Sequence, residues 1–270
     1  MPTLPPIAFI GGGNMATAMI GGLAELNPRP ALSVSEPDTA KRAAFAAKSC
    51  TALGDNRAAV AMGSIIVLAI KPQMAAQVVP ELAAAWQSDK LLVSILAGTP
   101  TAKLQGWLPP GARVVRAMPN TPLAIGKGMV GLCAGANATA RDLDLAEALF
   151  APCGKVLRVS DEARMDAVTA VSGSGPAYFF RFAEALVDAA QALGFTRDEA
   201  VLLVGQTGAG SWDYLMQSGF EARRLREQVT SPGGTTAAAL KTLDDAGFGA
   251  LVTKALQAAE QRGKELAALG

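Results

Sequence analysis

The sequence predicts an α/β chain: a doubly wound parallel sheet over residues 1–162, followed by an all-helical part over 163–270. Three observations carry this reading. An apolar strand, Ile7 to Ile10, runs straight into the glycine-rich turn Gly11-Gly12-Gly13-Asn14-Met15-Ala16. Short β-rich apolar runs then alternate with helical stretches to about residue 160, the pattern of a parallel sheet with helices on both faces. After about residue 163 the strand signal stops and amphipathic helices take over.

The first turn fits the dinucleotide fingerprint G-x-G-x-x-G/A of a Rossmann-type domain. Gly11 makes the tight turn, Gly13 lets the backbone approach a pyrophosphate, and Ala16 permits close packing of helix on strand. Free N–H groups and the helix dipole favour the phosphates. A helix over Ala16 to Leu26 follows, broken by Asn27-Pro28-Arg29-Pro30, and a second strand runs from Ala31 to Ser35. Glu36, twenty residues after Ala16, stands where an acid grips the ribose hydroxyls of NAD. Lys41 and Arg42, a helical turn on, stand where cations meet a 2′-phosphate, or are simply solvated on a helix that Glu36-Pro37-Asp38 begins. The reading leans to NADP and leaves NAD open.

Further strands are expected at Ile65 to Ile70, Leu91 to Leu96, Val114 to Ala117, Met129 to Cys133 and Lys155 to Val159. Three of their ends carry unusual punctuation: Ala69-Ile70-Lys71-Pro72, Ser94-Ile95-Leu96-Ala97-Gly98, and Arg116-Ala117-Met118-Pro119-Asn120-Thr121-Pro122. Each alone reads as a tight strand-to-loop turn. Together, at successive strand ends, they mark the side of an open α/β sheet where ligands bind.

In the second half, a helix from Glu162 to Val171 is expected to break at Ser172-Gly173-Ser174-Gly175 and restart at Pro176. That break either opens space beside a ligand or lets helices pack closely, the packing role being favoured. The next helix has a polar stripe (Arg181, Glu184, Asp188, Gln191) opposite an apolar one (Phe182, Leu186, Ala189, Leu193), and ends at Gly194. Thr196 and Glu199 form a capping box for a helix over 197–217. Further helices are expected at 222–229, 235–246 and 248–268. Between two of them lies a second glycine-rich turn, Ser231-Pro232-Gly233-Gly234-Thr235-Thr236, in which Ser231 reads as a cap and Pro232 as a first-turn residue. Its bare N–H groups suit a small carboxylate.

Composition excludes much. With 24 basic and 23 acidic residues the chain has no field for nucleic acid or an acidic membrane. No apolar run nears the ~20 residues of a membrane helix, and no secretory signal is visible. Cys50, Cys133 and Cys153 lack metal or redox spacing and read as reduced structural thiols, consistent with a cytoplasmic protein. Asp142/Asp144 and Asp244/Asp245 read as solvated surface. There is no histidine, which excludes Ser-His-Asp, Cys-His and histidine-based zinc chemistry. Any chemistry rests on a cofactor and on positioning.

The glycine turn Gly11 to Ala16, the strand ends Ala69 to Pro72, Ser94 to Gly98 and Met118 to Pro122, the block Val171-Ser172-Gly173-Ser174-Gly175-Pro176-Ala177-Tyr178 and the run from Leu225 through Thr236 resemble the signature blocks of pyrroline-5-carboxylate reductase, in order along essentially the whole chain. The resemblance implies reduction of 1-pyrroline-5-carboxylate to L-proline with NAD(P)H, by a Rossmann domain followed by a substrate-binding helical domain that forms a dimer or larger homo-oligomer. It assigns Ser231, Gly233, Gly234, Thr235 and Thr236 to the substrate, with Thr236 as the catalytic residue near the ring nitrogen. To the cofactor it assigns Gly11, Gly13, Asn14, Met15, Ser35, Asn56, Ala69, Lys71, Pro72, Ala97 and Gly98; no metal is implied. Two other readings compete. A β-hydroxyacid dehydrogenase of the same architecture needs a lysine acid–base with an asparagine-rich turn, and Lys241 lacks that turn. A non-catalytic NADP sensor leaves the 225–236 block unexplained.

Overall fold

The computed structural model describes residues 2–269. Its first part runs β1 (Ile7–Ile10), α1 (Asn14–Ala24), β2 (Leu32–Ser35), α2 (Thr39–Ala46), β3 (Thr51–Leu53), α3 (Asn56–Met62), β4 (Ile65–Leu68) and α4 (Ala75–Leu82). It continues with β5 (Leu91–Ser94), α5 (Thr101–Gly106), β6 (Arg113–Pro119), β7 (Gly128–Ala134), α6 (Ala140–Phe150) and β8 (Gly154–Arg158). The strands form one sheet in the order β3-β2-β1-β4-β5-β6-β7-β8. The first six positions are the doubly wound dinucleotide-binding order, which reverses between β1 and β4.

Alternation along each strand builds two cores. In β1, Ile7 and Phe9 face Met19, Ile20 and Leu23 of α1, Phe45 of α2 and Leu149 and Phe150 of α6. Ala8 and Ile10 face the other way, onto Val60 of α3, Val79 and Leu82 of α4 and Leu104 of α5. Each fully buried side chain of this size contributes about 1.5–3 kcal/mol relative to exposure. Helices therefore cover both faces, as the near-continuous apolar strands require.

One strand departs from the expected parallel sheet. β7 pairs antiparallel with β6. The connection over residues 120–127 holds only a 3-10 turn, Thr121–Ile125, closed by left-handed Gly126 at φ 72°. That is too short for a parallel crossover, which takes a dozen residues or more. β8 is parallel to β7 because α6 supplies the crossover. β3 was not foreseen; it is short and half-exposed, so no apolar run announces it.

Asp142 also departs from its expected place. Far from being solvated surface, it is fully buried, pairs with Arg113 at 2.7 Å and closes a capping box with Thr139 at the start of α6. The three cysteines are free and buried as expected. Burial pushes the Cys50 thiol up to about 11, against a partial opposing pull from Arg29.

The helical part consists of α8 (Gly175–Ala192), α9 (Arg197–Gln217), α10 (Ala222–Gln228), α11 (Thr235–Asp245) and α12 (Phe248–Leu269), with the short α7 (Met165–Val168) before it. Thr196 and Glu199 form the expected capping box. The chain divides into two compact units: residues up to Pro176 together with those from Ala258 on, and Ala177–Gln257. Within the second unit, Trp212 meets Phe179 and Phe220 edge-on at 5.2 and 6.0 Å. The apolar stripe of α8 is nonetheless open, with Phe182 50% and Leu186 41% exposed.

Two outcomes follow. Replacing Asp142 by Ala strands the Arg113 charge and removes the reciprocal half of the α6 capping box, leaving Thr139 as its cap, and should lower the unfolding free energy by about 2–4 kcal/mol in a urea titration. For Cys50 the fold keeps the neutral thiol, so its contribution to stability is complete below about pH 9 and is lost as pH rises towards 11. Thiol-reagent labelling of the native protein at pH 8 should accordingly run at least about 100-fold slower at Cys50 than in the unfolded chain.

Candidate functional site

Strand register brings the predicted cofactor residues to one edge of the sheet. Ser35 lies beside Ile10, Ile10 beside Leu68, Leu68 beside Ser94, and Ser94 beside Arg116. The glycine turn, the 69–72 turn and the 95–98 loop all leave from this row, at the reversal of strand order where open α/β sheets take their ligands.

Gly11 is held at φ 98°, and a Cβ there would sit 2.6 Å from the Ala69 carbonyl oxygen. Gly13 is different: a Cβ there meets nothing within 4 Å. It is exposed, and it precedes α1 with no side chain to cap it. The first intrahelical bond runs from Thr17 N–H to the Gly13 carbonyl, so the N–H groups of Asn14, Met15 and Ala16 have no intrahelical acceptor. Ala16 is fully buried against the sheet, as its place in the fingerprint requires. A bare, uncapped helix start of eleven residues fits a dinucleotide pyrophosphate.

Around it, Ser35 Oγ donates to Asn56 Oδ1 at 2.8 Å, bringing together two predicted cofactor residues from β2 and α3. Lys71 and Pro72 are exposed at the start of the turn Pro72–Met74. Glu36 does not stand free for a ribose. It is buried, and its carboxylate accepts from Gly12 N–H at 2.9 Å and Asp38 N–H at 3.0 Å. Arg42 Nη1 donates to the Glu36 and Pro37 carbonyls, both at 2.7 Å, while Lys41 is exposed.

The loop carrying Ala97 and Gly98 is fixed from several sides. Gly98 has φ 63°, and a Cβ on it would lie 3.1 Å from Leu266 Cβ on α12. Thr101 donates its N–H and hydroxyl to Glu162 at 2.8 and 2.6 Å. Glu162 in turn pairs with buried Arg116, which also pairs with Asp166 at 3.1 Å. Arg116 stands in one of the punctuated strand ends, but the sequence assigns it no role of its own. A charge inside the apolar run Val114-Val115-Arg116-Ala117 was the available signal, because a buried cation needs partners.

The expected break at 172–175 is not a break. The chain widens into a π-helical turn, Thr169–Gly173, in which Ser174 N–H reaches the Thr169 carbonyl at 2.8 Å, and α8 continues with Pro176 in its first turn.

In the second unit, Ser231 is not the helix cap. Ser231–Gly234 is a β-turn closed by Gly234 N–H to the Ser231 carbonyl at 3.0 Å. Pro232 is its second residue and Gly233 its third, at φ 72°, the type II pattern. α11 starts at Thr235 with Gly234 as its N-cap and no side-chain cap bond. Ala238 N–H makes the first intrahelical bond, to Gly234, so the N–H groups of Thr235, Thr236 and Ala237 have no intrahelical acceptor. The five predicted substrate residues are thus contiguous around one uncapped helix start. Among the described residues no cluster of metal ligands exists.

A family profile described as pyrroline-5-carboxylate reductase dimerisation matches residues 162–266, and one described as NADP oxidoreductase coenzyme F420-dependent matches 6–98. The pyrroline-5-carboxylate reductase of Pseudomonas aeruginosa is 45% identical over 265 residues, 97% of each chain. Among solved structures, a pyrroline-5-carboxylate reductase from Coxiella burnetii is 37% identical with TM-score 0.89, covering 98% of this chain and 99% of that one. The Plasmodium falciparum enzyme, solved with NADP bound, is 30% identical with TM-score 0.84, covering 97% and 98%.

The two glycines predict opposite phenotypes. Gly11→Ala should lower the melting temperature, through strain and the clash with Ala69. Gly13→Ala should leave the melting curve unchanged and weaken NADPH binding on the order of 10-fold in a fluorescence titration.

Proposed function

The chain belongs to the pyrroline-5-carboxylate reductase family, and we infer from this that it reduces 1-pyrroline-5-carboxylate to L-proline with NAD(P)H, the last step of proline biosynthesis. The reading rests on the 45% identity that spans 97% of both chains. Residues 1–162 are taken as the dinucleotide-binding domain and 163–270 as the substrate-binding and dimerisation domain.

NADPH, when bound, supplies the hydride that the imine carbon accepts. The bare backbone at Gly13, Asn14 and Met15 holds its pyrophosphate. Gly11 shapes that turn; Ser35 and Asn56 lie towards the adenosine ribose; Ala69, Lys71, Pro72, Ala97 and Gly98 line the strand ends. The inward-turned Glu36 carboxylate, already accepting two N–H groups, supports NADP over NAD.

For the substrate, Ser231, Gly233, Gly234, Thr235 and Thr236 form a carboxylate clamp. A carboxylate at the uncapped start of α11 gains about 0.3–1 kcal/mol from the helix dipole, and charge-assisted hydrogen bonds besides. Thr236, half-buried one residue into the helix, is assigned the ring nitrogen. With no histidine in the chain, the imine takes its proton from solvent before binding, and the reduction creates little new charge. The protein's contribution is then chiefly orientation, an effect that reaches about 7–11 kcal/mol in well-aligned systems.

The open apolar stripe of α8 fits burial against a second copy, and the family profile over 162–266 is one of dimerisation. Balanced charge speaks against a nucleic-acid partner, and no described helix is long and apolar enough to cross a membrane. A cytoplasmic location is proposed.

Purified protein should oxidise NADPH only when 1-pyrroline-5-carboxylate is present and yield proline, with the NADPH-to-NADH rate ratio above one; cofactor binding without turnover would overturn the reading. Thr236→Ala should lower kcat with NADPH affinity intact, whereas Gly234→Leu should raise KM for the imine.

A further inference from the structure

The amide of Asn120 makes contacts that the cofactor and substrate assignments do not use. Its Oδ1 accepts from Met129 N–H at 2.8 Å, on β7. Its Nδ2 donates to the Ser172 carbonyl at 3.2 Å, with Ser172 Oγ at 3.4 Å. Acceptor and donor are therefore both committed, and the amide cannot be reversed without losing both contacts.

The Ser172 carbonyl is available for a chemical reason. In an α-helix it would accept from the N–H of residue 176, but residue 176 is proline and has none. The chain meets this by widening into the π-turn Thr169–Gly173, and Asn120 supplies the missing donor. The turn also meets the end of β6 directly: Gly173 lies against the flexible tip of Met118, two residues before Asn120, where a Cβ would come 2.5 Å from Met118 Cε. Asn120 follows directly on β6, whose carboxyl end belongs to the ligand side of the sheet. π-turns recur at functional sites.

We propose that Asn120 is a positioning residue for the reduction: its amide locks the π-turn Thr169–Gly173 against the carboxyl end of β6, so that this turn is a fixed wall of the reacting centre. The proposal rests on the functional reading given above. Side chains of this kind act by holding others in place, and a displacement of about 1 Å can cost 10²-fold in rate.

Two variants attack the lock from opposite sides. Asn120→Asp is isosteric and keeps the acceptor for Met129, but turns the donor facing Ser172 into a second acceptor. Pro176→Ala leaves Asn120 intact and restores the N–H that competes for the Ser172 carbonyl inside the helix. Each should lower kcat by about 10- to 100-fold, with both KM values within about 2-fold and NADPH affinity unchanged by fluorescence titration. Hydrogen–deuterium exchange should rise over 169–176 in both, while the glycine turn at 11–16 keeps its protection. Wild-type kcat in both variants, or exchange unchanged over 169–176, overturns the proposal. Loss of activity that follows only the folded fraction, with kcat per folded molecule unchanged, overturns it equally. Wild-type protein that fails to turn over the imine instead overturns the functional reading, and the exchange result still decides whether Asn120 locks the turn.

Discussion

The approach of the Gly11 backbone to the Ala69 carbonyl is the constraint on which the first unit depends. It occurs at the reversal between β1 and β4, where two strands with outward-running neighbours leave a crevice between them. Any side chain at Gly11 pushes the turn away from β4, and the start of α1 with it. The sheet order decides where the crevice lies, and the absent Cβ decides whether a helix start can reach it. The same economy of atoms recurs at Gly98 and Gly173, where bare backbone lets Leu266 and Met118 close in.

Charge is handled in this structure by enclosure. Glu36, Arg116, Asp142 and Asp166 are all buried, and each has named partners. Removing one member leaves the other as an uncompensated buried charge, which is why such groups cost more to break than they contribute when intact. The Thr101–Glu162–Arg116–Asp166 chain of contacts lies behind the 95–98 loop. The segment after the 95–98 loop is therefore tied down by ion pairs, whereas the glycine turn at 11–16 rests on the apolar packing of α1.

Elements whose signal is local were legible in the sequence. The places of most strands, though not their last residues, the glycine turn after β1, the Thr196–Glu199 box and the bounds of α9 to α12 each follow from a few neighbouring residues. What escaped depends on distant partners. β7 reverses because its connection is short, which apolar periodicity does not record. Asp142 is buried by Arg113, 29 residues away. Ser231 lost its capping role because the Pro232-Gly233 pair serves a type II turn as readily as a helix start, and only the φ of Gly233 separates the two. Asn120 sits in a legible strand-end block, but its partner at Ser172 lies 52 residues on.

Glu36 carries a consequence for redesign. The residue after β2 is the usual handle for exchanging NAD and NADP preference, since it ordinarily meets the ribose and little else. Here the same carboxylate tethers Gly12 and Asp38, so it belongs to the frame of the glycine turn that opens α1. Changing it removes a charge and two hydrogen bonds of that frame together. Lys41, by contrast, is exposed, so its side chain can be exchanged while those two tethers stay in place.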